Sequence, residues 1–229
     1  MAGYLGSKAA SGSYQAIISR MAPHDTYIET HLGGGAVMLN KPPALRNIGV
    51  DIDEHALGYF ETIHNKEASR VELIQADAVN YLRYFDFSTA GRVQLYCDPP
   101  YLPCTRTSRA RYRHEYTEKD HVDLLKILRL LPDNVNIILS GYPSRMYDDL
   151  LPGWRTHEYQ SMTRGGVRTE KLWMNFSEGA VYSHQFAGKN YIDRQRIKRK
   201  AERWARNYKA LPPDEQLAIM AALSNYDEY

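Results

Sequence analysis

The sequence contains little cysteine and no long apolar run. Only Cys97 and Cys104 occur among its 229 residues, so a disulfide framework is not expected and both side chains are interpreted as reduced thiols. The first residues, MAGYLGSK, hold no apolar run, and no window approaches the ~18 uninterrupted apolar residues of a membrane span. These absences favour a soluble, cytoplasmic protein.

Residues for several other chemistries are also missing. The chain has no Gly-x4-Gly-Lys-Ser/Thr phosphate-binding loop, and Cys97, Cys104 and His114 lack the paired spacing of a metal site. Pro103-Cys104 has the form of the nucleophile used in cytosine carbon methylation, but it lies beyond the expected strand end and beside a different motif. Neither a metal site nor a cysteine nucleophile is predicted.

Charge is distributed unevenly along the chain. The net charge is +2, yet residues 189–209 hold nine basic side chains against two acidic ones. A second basic cluster consists of Arg106, Arg109, Arg111 and Arg113. Two such patches favour a polyanionic partner such as nucleic acid, although a charge run is also typical of a solvated helix face.

Short β-type runs alternate with segments of helical spacing, and the length allows one sizeable core. This alternation predicts a mostly parallel sheet covered by helices on both faces, with ligands beyond the carboxyl ends of the strands. The predicted strands are 27–29, 47–52, 71–75, 93–97, 135–140, 155–159 and 171–176. The predicted helices are 13–21, 54–65, 119–130 and 144–150, followed by a basic helix and a short final helix over 214–224.

A turn of three consecutive glycines, residues 33–35, follows the first predicted strand. Glycine lets the backbone approach a nucleoside closely, although a tight turn without a ligand has the same pattern. The second predicted strand carries Asp51 near its end, about 20 residues after the glycines, where a ribose hydroxyl needs an acceptor. Asp53 is more simply the N-cap of the following helix. The glycines and the acidic strand end together favour a cofactor that contains adenosine.

The fourth predicted strand runs directly into Asp98-Pro99-Pro100-Tyr101. Two consecutive prolines fix φ and remove two backbone donors, which leaves a rigid loop of outward-facing acceptors. Acceptors on its hydrogens localise the lone pair of an aromatic amino group, so that the nitrogen can attack a methyl sulfonium. Asp98 and the Pro99 carbonyl are the predicted acceptors, and the Tyr101 ring offers a surface for an extruded base. A Pro-Pro pair that merely ends a strand is the alternative.

These residues resemble the Dam-like class of adenine-specific DNA methyltransferases, in particular the compact phage and prophage enzymes, over about residues 4–176. The resemblance implies a Rossmann-like α/β fold of the class I S-adenosylmethionine-dependent methyltransferases. In that fold a mostly parallel seven-stranded sheet has its antiparallel last strand inserted between two others. The implied reaction moves a methyl group from S-adenosylmethionine to N6 of an adenine flipped out of double-stranded DNA. The implied setting is the cytoplasm of a bacterial or phage-infected cell, in restriction-modification or a related use of DNA methylation.

The resemblance also implies the site residues. The catalytic residues would be Asp98, Pro99, Pro100 and Tyr101. An aromatic-x-Gly-x-Lys element near the N-terminus, here residues 4–8, closes over the cofactor in the family, and its lysine approaches the cofactor carboxylate. On spacing alone, one implied cofactor residue, Asp77, can equally cap a short helix. The full implied cofactor set is Tyr4, Lys8, Glu29, Gly33, Gly34, Gly35, Asp51, Asp77 and Asp98.

Two later segments extend the resemblance. The end of the fifth predicted strand, residues 138–142, is similar to the part of the family's fold that helps to form the target pocket. Residues 168–176 resemble the closing segment and last strand, in which Trp173 and Phe176 are interpreted as core residues rather than base contacts.

The chain departs from the family in two ways. The common Glu-Pro-Phe-x-Gly form reads Glu-Thr-His-Leu-Gly at residues 29–33, so the packing near His31 is expected to differ. Larger relatives carry a separate target-recognition domain before the Asp-Pro-Pro-Tyr motif, whereas only 20 residues lie between Asp77 and Asp98. The expected organisation is a catalytic domain over 1–186 with an arginine-rich loop over 102–118, then a basic helical extension over 187–229.

Recognition of the DNA sequence is therefore expected either to come from the arginine-rich loop and the tail or to be weak, so the enzyme is expected to be site-specific or weakly specific. The predicted DNA-binding residues are Arg106, Arg109, Arg111, Arg113, Lys198, Arg199, Lys200 and Arg203. An RNA adenine N6-methyltransferase is the close alternative, because the same amine chemistry works on single-stranded bases. A non-catalytic DNA-binding protein on a methyltransferase scaffold is a further alternative, which the intact Asp51, Asp98 and Tyr101 disfavour.

Overall fold

A computed structural model describes residues 8, 12–102, 113–163, 166–188 and 190–224. The chain divides into two compact units, residues 1–185 and 186–229. In chain order the first unit contains α1 (Ser13–Ile18), β1 (Thr26–Thr30), α2 (Ala36–Asn40), β2 (Arg46–Asp51), α3 (Glu54–Ile63), α4 (Asn65–Ala68), β3 (Glu72–Gln75), α5 (Ala78–Tyr84), a 3-10 turn (Phe87–Thr89), β4 (Val93–Cys97), α6 (Glu118–Leu130), β5 (Val135–Gly141), α7 (Arg145–Leu150), β6 (Arg155–Thr163) and β7 (Gly166–Met174). The second unit contains α8 (Tyr191–Lys209) and α9 (Pro213–Ser224).

The described strands form one seven-stranded sheet in the order β3-β2-β1-β4-β5-β7-β6. Strands β1 to β5 pair in parallel, and β7 lies antiparallel between β5 and β6. The predicted mixed sheet, with an antiparallel last strand inserted between two others, is confirmed. The carboxyl ends of β1, β2, β4 and β5 therefore meet at one edge, where ligands bind in open α/β sheets.

The central strands are buried along their whole length because helices cover both faces of the sheet. Every residue of β1 and of β4 is buried, and α6 packs Leu124 and Leu128 into the same core. Trp173 on β7 is fully buried and donates from Nε1 to Asp148 Oδ1 at 2.7 Å. The predicted core role of Trp173 is confirmed, whereas Phe176 is half-buried, with the Arg155 guanidinium over its ring.

Acidic and hydroxyl side chains fix the starts of three helices. The Asp53 carboxylate accepts a hydrogen bond from the His55 amide at 3.0 Å, which begins α3. Asp77 accepts one from the Asn80 amide at 2.9 Å, which begins α5. Thr117 starts α6 with a reciprocal capping box. Asp53 and Asp77 thus have the capping role that the sequence allowed for each.

The hairpin of β6 and β7 is longer than the sequence predicts. Strand β6 continues to Thr163 and β7 already begins at Gly166, with paired residues from Arg155–Met174 to Thr163–Gly166. The added residues are mostly polar, so they carry no alternation of apolar and polar positions, and backbone pairing alone makes them strand. The predicted helix over 54–65 is instead two helices, because His64 between them leaves helical geometry at φ −123° and ψ 42°.

The second unit consists of α8 and α9. Asn190 caps α8 by accepting from the Asp193 amide at 2.9 Å, and the Tyr208 hydroxyl joins the two helices by donating to the Gln216 carbonyl at 3.0 Å. Trp204 on α8 is 65% exposed. No helix in the described part of the chain is long and apolar enough to cross a bilayer.

Candidate active site

The Asp-Pro-Pro-Tyr segment follows β4 directly, at the carboxyl edge of the sheet. Because β4 lies between β1 and β5, Asp98 comes next to the ends of both neighbours. Asp98 Oδ1 accepts from Ser140 Oγ at 2.7 Å, and Ser140 Oγ lies 3.0 Å from the Tyr96 hydroxyl. Burial raises the pKa of the Asp98 carboxyl above its usual value, and Lys8 and Ser140 offset part of that rise.

Lys8 places a buried ammonium group against the same carboxylate. Its Nζ lies 2.9 Å from Asp98 Oδ1, donates to the Tyr101 hydroxyl at 2.8 Å and lies 3.3 Å from Glu170 Oε2. Burial opposes the charge on Lys8, but these partners outweigh it and raise the pKa of Lys8 well above its usual value. The three acceptors together form a pocket for a nitrogen that carries several hydrogens.

Glu170 belongs to this site, although no sequence motif marked it. It is 3% exposed, and its carboxylate accepts from the Tyr159 hydroxyl at 2.9 Å and from the Tyr101 hydroxyl at 3.3 Å. Its sequence neighbours, Thr169 and Lys171, are polar, so no local pattern marked Glu170 as a buried carboxylate that requires partners.

The turn after β1 closes on the acidic end of β2. The Gly33 amide donates to Asp51 Oδ2 at 2.8 Å, and the Asp53 amide donates to Asp51 Oδ1 at 2.9 Å. Gly35 has φ 62°, and a Cβ there would come within 2.3 Å of the Phe60 ring. Glycine is therefore required at position 35 by the fold itself.

One cleft joins the glycine turn to the Asp-Pro-Pro-Tyr segment. It encloses about 770 Å³, including the solvent at its mouth. The predicted site residues that line it are Lys8, Glu29, Gly33, Gly34, Gly35, Asp51, Asp98, Pro99, Pro100, Tyr101 and Arg113. The structure thus brings the implied catalytic residues and most of the implied cofactor residues to one place.

His31 also lines this cleft, in a left-handed conformation with φ 62° that is uncommon for a residue with a side chain. Its Nε2 lies 2.8 Å from the Tyr116 hydroxyl. Burial lowers the pKa of His31 to about 4, so the ring is neutral at pH 7. His31 and Tyr116 thus form a polar pair at the cleft, and the expected difference in packing from the family stays a prediction.

Glu29 is a buried carboxyl at one wall of the cleft. It accepts a hydrogen bond from the Tyr27 hydroxyl at 2.9 Å. Burial raises the pKa of Glu29 to about 8, and burial also lowers the pKa of nearby Lys41 to about 7. At pH 7 the Glu29 carboxyl is therefore mostly protonated.

The positions of Asp77, Arg113 and the predicted site residues that the structure does not describe differ from one another. Asp77 caps α5 and is not among the described residues that line the cleft. Arg113 reaches the cleft, with Nη1 3.8 Å from Asp53 Oδ1. The predicted residues that lie outside the described part of the chain are Tyr4, Arg106, Arg109 and Arg111.

The predicted basic residues of the second unit all lie on α8 and are exposed: Lys198, Arg199, Lys200 and Arg203. Lys198 Nζ is 3.9 Å from Glu202 Oε1. Arg199, Arg203 and Arg206 follow one another at spacings of four and three, so they share one face of the helix. Within the described residues, none of these three arginines forms an ion pair.

Cys97 ends β4 as a buried free thiol. Burial raises the pKa of Cys97 to about 12, so the thiol stays protonated at neutral pH and is a poor nucleophile. Cys104, in the Pro-Cys pair, lies outside the described residues. Among those that are described, no three His, Cys, Asp or Glu side chains are grouped to hold a metal ion.

Comparisons with known proteins give structural matches alone. No protein-family model matches the chain, and no curated protein matches its sequence. TrmN from Thermus thermophilus matches with 19% identity and a TM-score of 0.49 over 70% of this chain and 47% of that one. The chain therefore spans about half the length of TrmN.

Two further matches carry the cofactor or its product in their crystals. TrmK from M. capricolum, in complex with S-adenosyl-homocysteine, matches with 12% identity and a TM-score of 0.48 over 93% of this chain and 94% of that one. The O-methyltransferase TomG from Streptomyces achromogenes, in complex with SAM, matches with 12% identity and a TM-score of 0.49 over 70% and 77%. Identities and scores this low assign no activity, so the function has to be argued from the site.

Proposed function

We propose that the chain is an S-adenosylmethionine-dependent DNA methyltransferase that methylates N6 of adenine. The observation that carries the proposal is the shared cleft. Asp98 and Tyr101 at the end of β4 line the same space as the glycine turn after β1 and Asp51 at the end of β2. An acceptor-rich loop for an aromatic amine thus lies beside a turn suited to a nucleoside cofactor.

The lining residues fit an adenosine-containing sulfonium. Asp51 already accepts one amide hydrogen on each carboxylate oxygen, and the second lone pair of each oxygen remains for a ribose hydroxyl. Neutral His31 places no positive charge in the cleft, which suits a cationic cofactor. When bound, S-adenosylmethionine would supply a methyl group on positively charged sulfur.

The acceptor pocket explains how the chain activates an amine. In the target, the adenine N6 hydrogens would be donated to Asp98 and to the Pro99 carbonyl, which localises the nitrogen lone pair. The nitrogen would bond to the methyl carbon that the cofactor supplies as the carbon–sulfur bond breaks. The product would release one proton from nitrogen, and we assign its acceptance to Asp98, whose pKa burial raises.

The contacts of Lys8 support the assignment of this pocket to an amine. Its ammonium donates to Tyr101 and lies against Asp98 and Glu170, so a nitrogen donor already occupies Asp98, one of the two acceptors assigned to the target amine. Lys8 and the amine would compete for Asp98, and displacement of Lys8 would free that acceptor for the base. Once displaced, its charge is available to a carboxylate in the cleft, which is the role that the family resemblance implies.

Nucleic-acid binding is proposed for the exposed arginines. Arg113 lies at the mouth of the cleft, and α8 presents an arginine face in the second unit. Arginine side chains form hydrogen bonds to phosphates and to the edge of guanine. The choice of adenine as the target is assigned to the amine pocket.

The test is methyl transfer from labelled S-adenosylmethionine to separate pools of DNA and RNA, followed by nucleoside analysis. The expected product is N6-methyladenine in DNA. Asp98→Ala should lower the rate at least ~100-fold, as for loss of one preorganised polar group in other active sites. A cooperative thermal unfolding transition of the variant without ligand checks that it remains folded. Label in RNA alone would move the substrate to RNA, and label in neither would reject the proposal.

A further inference from the structure

Two tyrosines and an arginine form a series of planar groups beside the amine pocket. The Tyr101 ring stacks on the Tyr142 ring with centroids 4.1 Å apart and planes inclined by 21°. The guanidinium carbon of Arg168 lies over the Tyr142 ring, 5.9 Å from its centroid.

An open recess lies at this point. It is lined by Tyr142, Pro143, Arg168 and Thr169 and encloses about 610 Å³, including open solvent. Tyr142 and Pro143 come directly after β5, and Arg168 and Thr169 lie on the neighbouring strand β7. Strand β7 thus supplies one side of the recess, and the residues directly after β5 supply the other.

Packing does not account for Tyr142. Its ring is half-buried and is not part of the hydrophobic core formed by the described residues. Its hydroxyl forms no hydrogen bond within the described residues, in contrast to the buried hydroxyls of Tyr96 and Tyr159. A tyrosine held against another aromatic ring at the rim of a site, with its own hydroxyl free, has a surface available for a ligand.

The chemistry of the recess selects a flat, electron-rich ring. Aromatic faces and arginine planes are the groups on which proteins stack nucleobases, and such stacking tolerates every base because each has a π-face. A methylated lysine would also favour an aromatic surface, but the positive charge of Arg168 opposes any cationic ligand. Tyr142 lines the recess and stacks on Tyr101 of the amine pocket, so a ligand in the recess would lie close to the target base.

We propose that Tyr142 and Arg168 form a second stacking subsite, which holds the nucleobase adjacent to the target adenine in the same strand. This inference rests on the proposed function and extends it to the substrate around the target. The neighbouring base leaves its own stack and is held on Tyr142, with the Arg168 guanidinium closing over it. The subsite supplies affinity for an unstacked neighbour and little discrimination among the four bases.

The test uses oligonucleotides with one adenine and an abasic position on its 5′ or its 3′ side. On one of the two sides, loss of the base should lower kcat/KM of the wild-type protein about tenfold, in line with ~1–3 kcal/mol per stacked base. In Tyr142→Leu the same abasic substitution should change kcat/KM by less than about twofold, because the stacking surface is already gone. Tyr142→Phe is the matched control, since it keeps the ring and should respond as the wild type does.

The arginine is tested in the same way. Arg168→Lys keeps the charge but removes the planar guanidinium, so the abasic substitution should lower kcat/KM of this variant much less than that of the wild type. If Arg168 contacts only a phosphate, the variant should show the same drop in kcat/KM as the wild type. If Tyr142→Leu lowers activity equally on intact and abasic substrates, Tyr142 supports the target base or Tyr101, and the subsite does not exist. A wild-type protein indifferent to abasic positions on both sides rejects it too, whatever the variants do.

Binding separates this inference from the proposed function. A 2-aminopurine placed beside the adenine loses fluorescence when it stacks on a tyrosine, and the quenching requires no methyl transfer. Quenching in the wild type and Tyr142→Phe, and its absence in Tyr142→Leu, supports the subsite even if no methylated product forms. Methylation without any such quenching supports the proposed function and overturns the subsite.

Discussion

Lys8 Nζ and Asp98 Oδ1 lie 2.9 Å apart in a pair whose side chains are only 5% and 15% exposed. The pair joins a residue near the start of the chain to the end of β4, and Glu170 on β7 lies 3.3 Å from the same ammonium. One buried cation thus compensates two buried carboxylates. The contribution of Lys8 to the stability of the folded protein can be measured apart from any catalytic role.

Replacing Lys8 by methionine should destabilise the protein, and more strongly at pH 8 than at pH 5. Removing one partner of a buried ion pair costs about 3–5 kcal/mol, because the other charge is left uncompensated. Without Lys8 the already raised pKa of Asp98 rises further, and a carboxyl whose folded pKa is raised loses stability as the pH increases above its unfolded value. Melting temperatures of both proteins at the two pH values measure the effect.

The control for this variant is Lys119→Met. Lys119 pairs with Asp123 on an exposed face of α6, where its side chain is 82% exposed, so its loss should have little effect at either pH. Adding Glu170→Gln to Lys8→Met should restore part of the lost stability, since one uncompensated carboxylate is removed. A loss that is the same at pH 5 and pH 8 would contradict this account of the pair.

The architecture follows from the sequence where hydrophobic patterns are strong. The run 93–97 is entirely apolar except for Gln94, and it is observed as β4 with the same bounds as predicted. The outer half of the β6–β7 hairpin lacks such a pattern. Its polar residues form strands because β6 and β7 pair with each other up to residues 163 and 166. Local periodicity of apolar residues does not predict pairing of that kind.

The residues of the candidate site also differ in whether the sequence predicts them. Asp98 and Tyr101 stand out because a strand end and a rigid turn are contiguous in sequence. Glu170 meets Lys8 only because β7 is inserted beside β5, and 162 residues separate the two along the chain. A lone glutamate in a polar segment has no local pattern that distinguishes a buried anion from a solvated one.

Gly35→Ala should destabilise the protein even in the absence of cofactor. Position 35 has φ 62°, where a side chain costs about 1–2 kcal/mol, and the added Cβ would come within 2.3 Å of the Phe60 ring. The melting temperature should fall by several degrees, on the scale of ~2–4 °C per kcal/mol for a chain of this size. Thermal unfolding without ligand measures this directly.

Gly34→Ala is the matched comparison. Gly34 lines the cleft and does not have a positive φ, so a methyl group there should leave the melting temperature nearly unchanged and weaken cofactor binding. Titration with S-adenosylmethionine separates the two effects. If Gly35→Ala melts like the wild type, glycine 35 is not required by the fold.

Glu29→Gln should stabilise the protein relative to the wild type as the pH rises from 5 to 7. The folded pKa of Glu29 is raised to about 8 by burial, so the folded state holds this proton more tightly than the unfolded state does. The stability that the group contributes is therefore present below the ordinary glutamate pKa and is lost as the pH rises towards 8. Glutamine is neutral throughout and can still accept the Tyr27 hydrogen bond.

The comparison with the wild type isolates Glu29 from other titrating groups. His24, His31 and His157 have pKa values lowered to about 4, and they affect both proteins alike. Lys41 titrates near pH 7, so the range from 5 to 7 is the useful one. Chemical denaturation at three pH values gives the difference in unfolding free energy, and a difference independent of pH would mean that Glu29 is ionised in the folded protein.

The exposed arginine face of α8 is predicted to bind the phosphates of nucleic acid. Replacing Arg199, Arg203 and Arg206 together by glutamine should weaken binding to all DNA sequences alike and flatten its salt dependence. Each lost phosphate contact removes about 0.9 from the slope of log K against log salt on duplex DNA, so the slope should fall by up to ~3. Titrations at several salt concentrations with two unrelated duplexes measure both quantities.

Arg196→Gln is the control on the same helix, because Arg196 already pairs with Asp193 at 2.7 Å and should change the slope least. Arg113→Gln, at the mouth of the cleft, should instead change which adenines are methylated or slow methyl transfer at saturating DNA, because contacts near a flipped base affect register rather than overall affinity. Sequencing of methylated sites from a random library distinguishes the two results. Should the α8 triple variant change site preference while Arg113→Gln changes the salt slope alone, the roles assigned to these two groups of arginines are reversed.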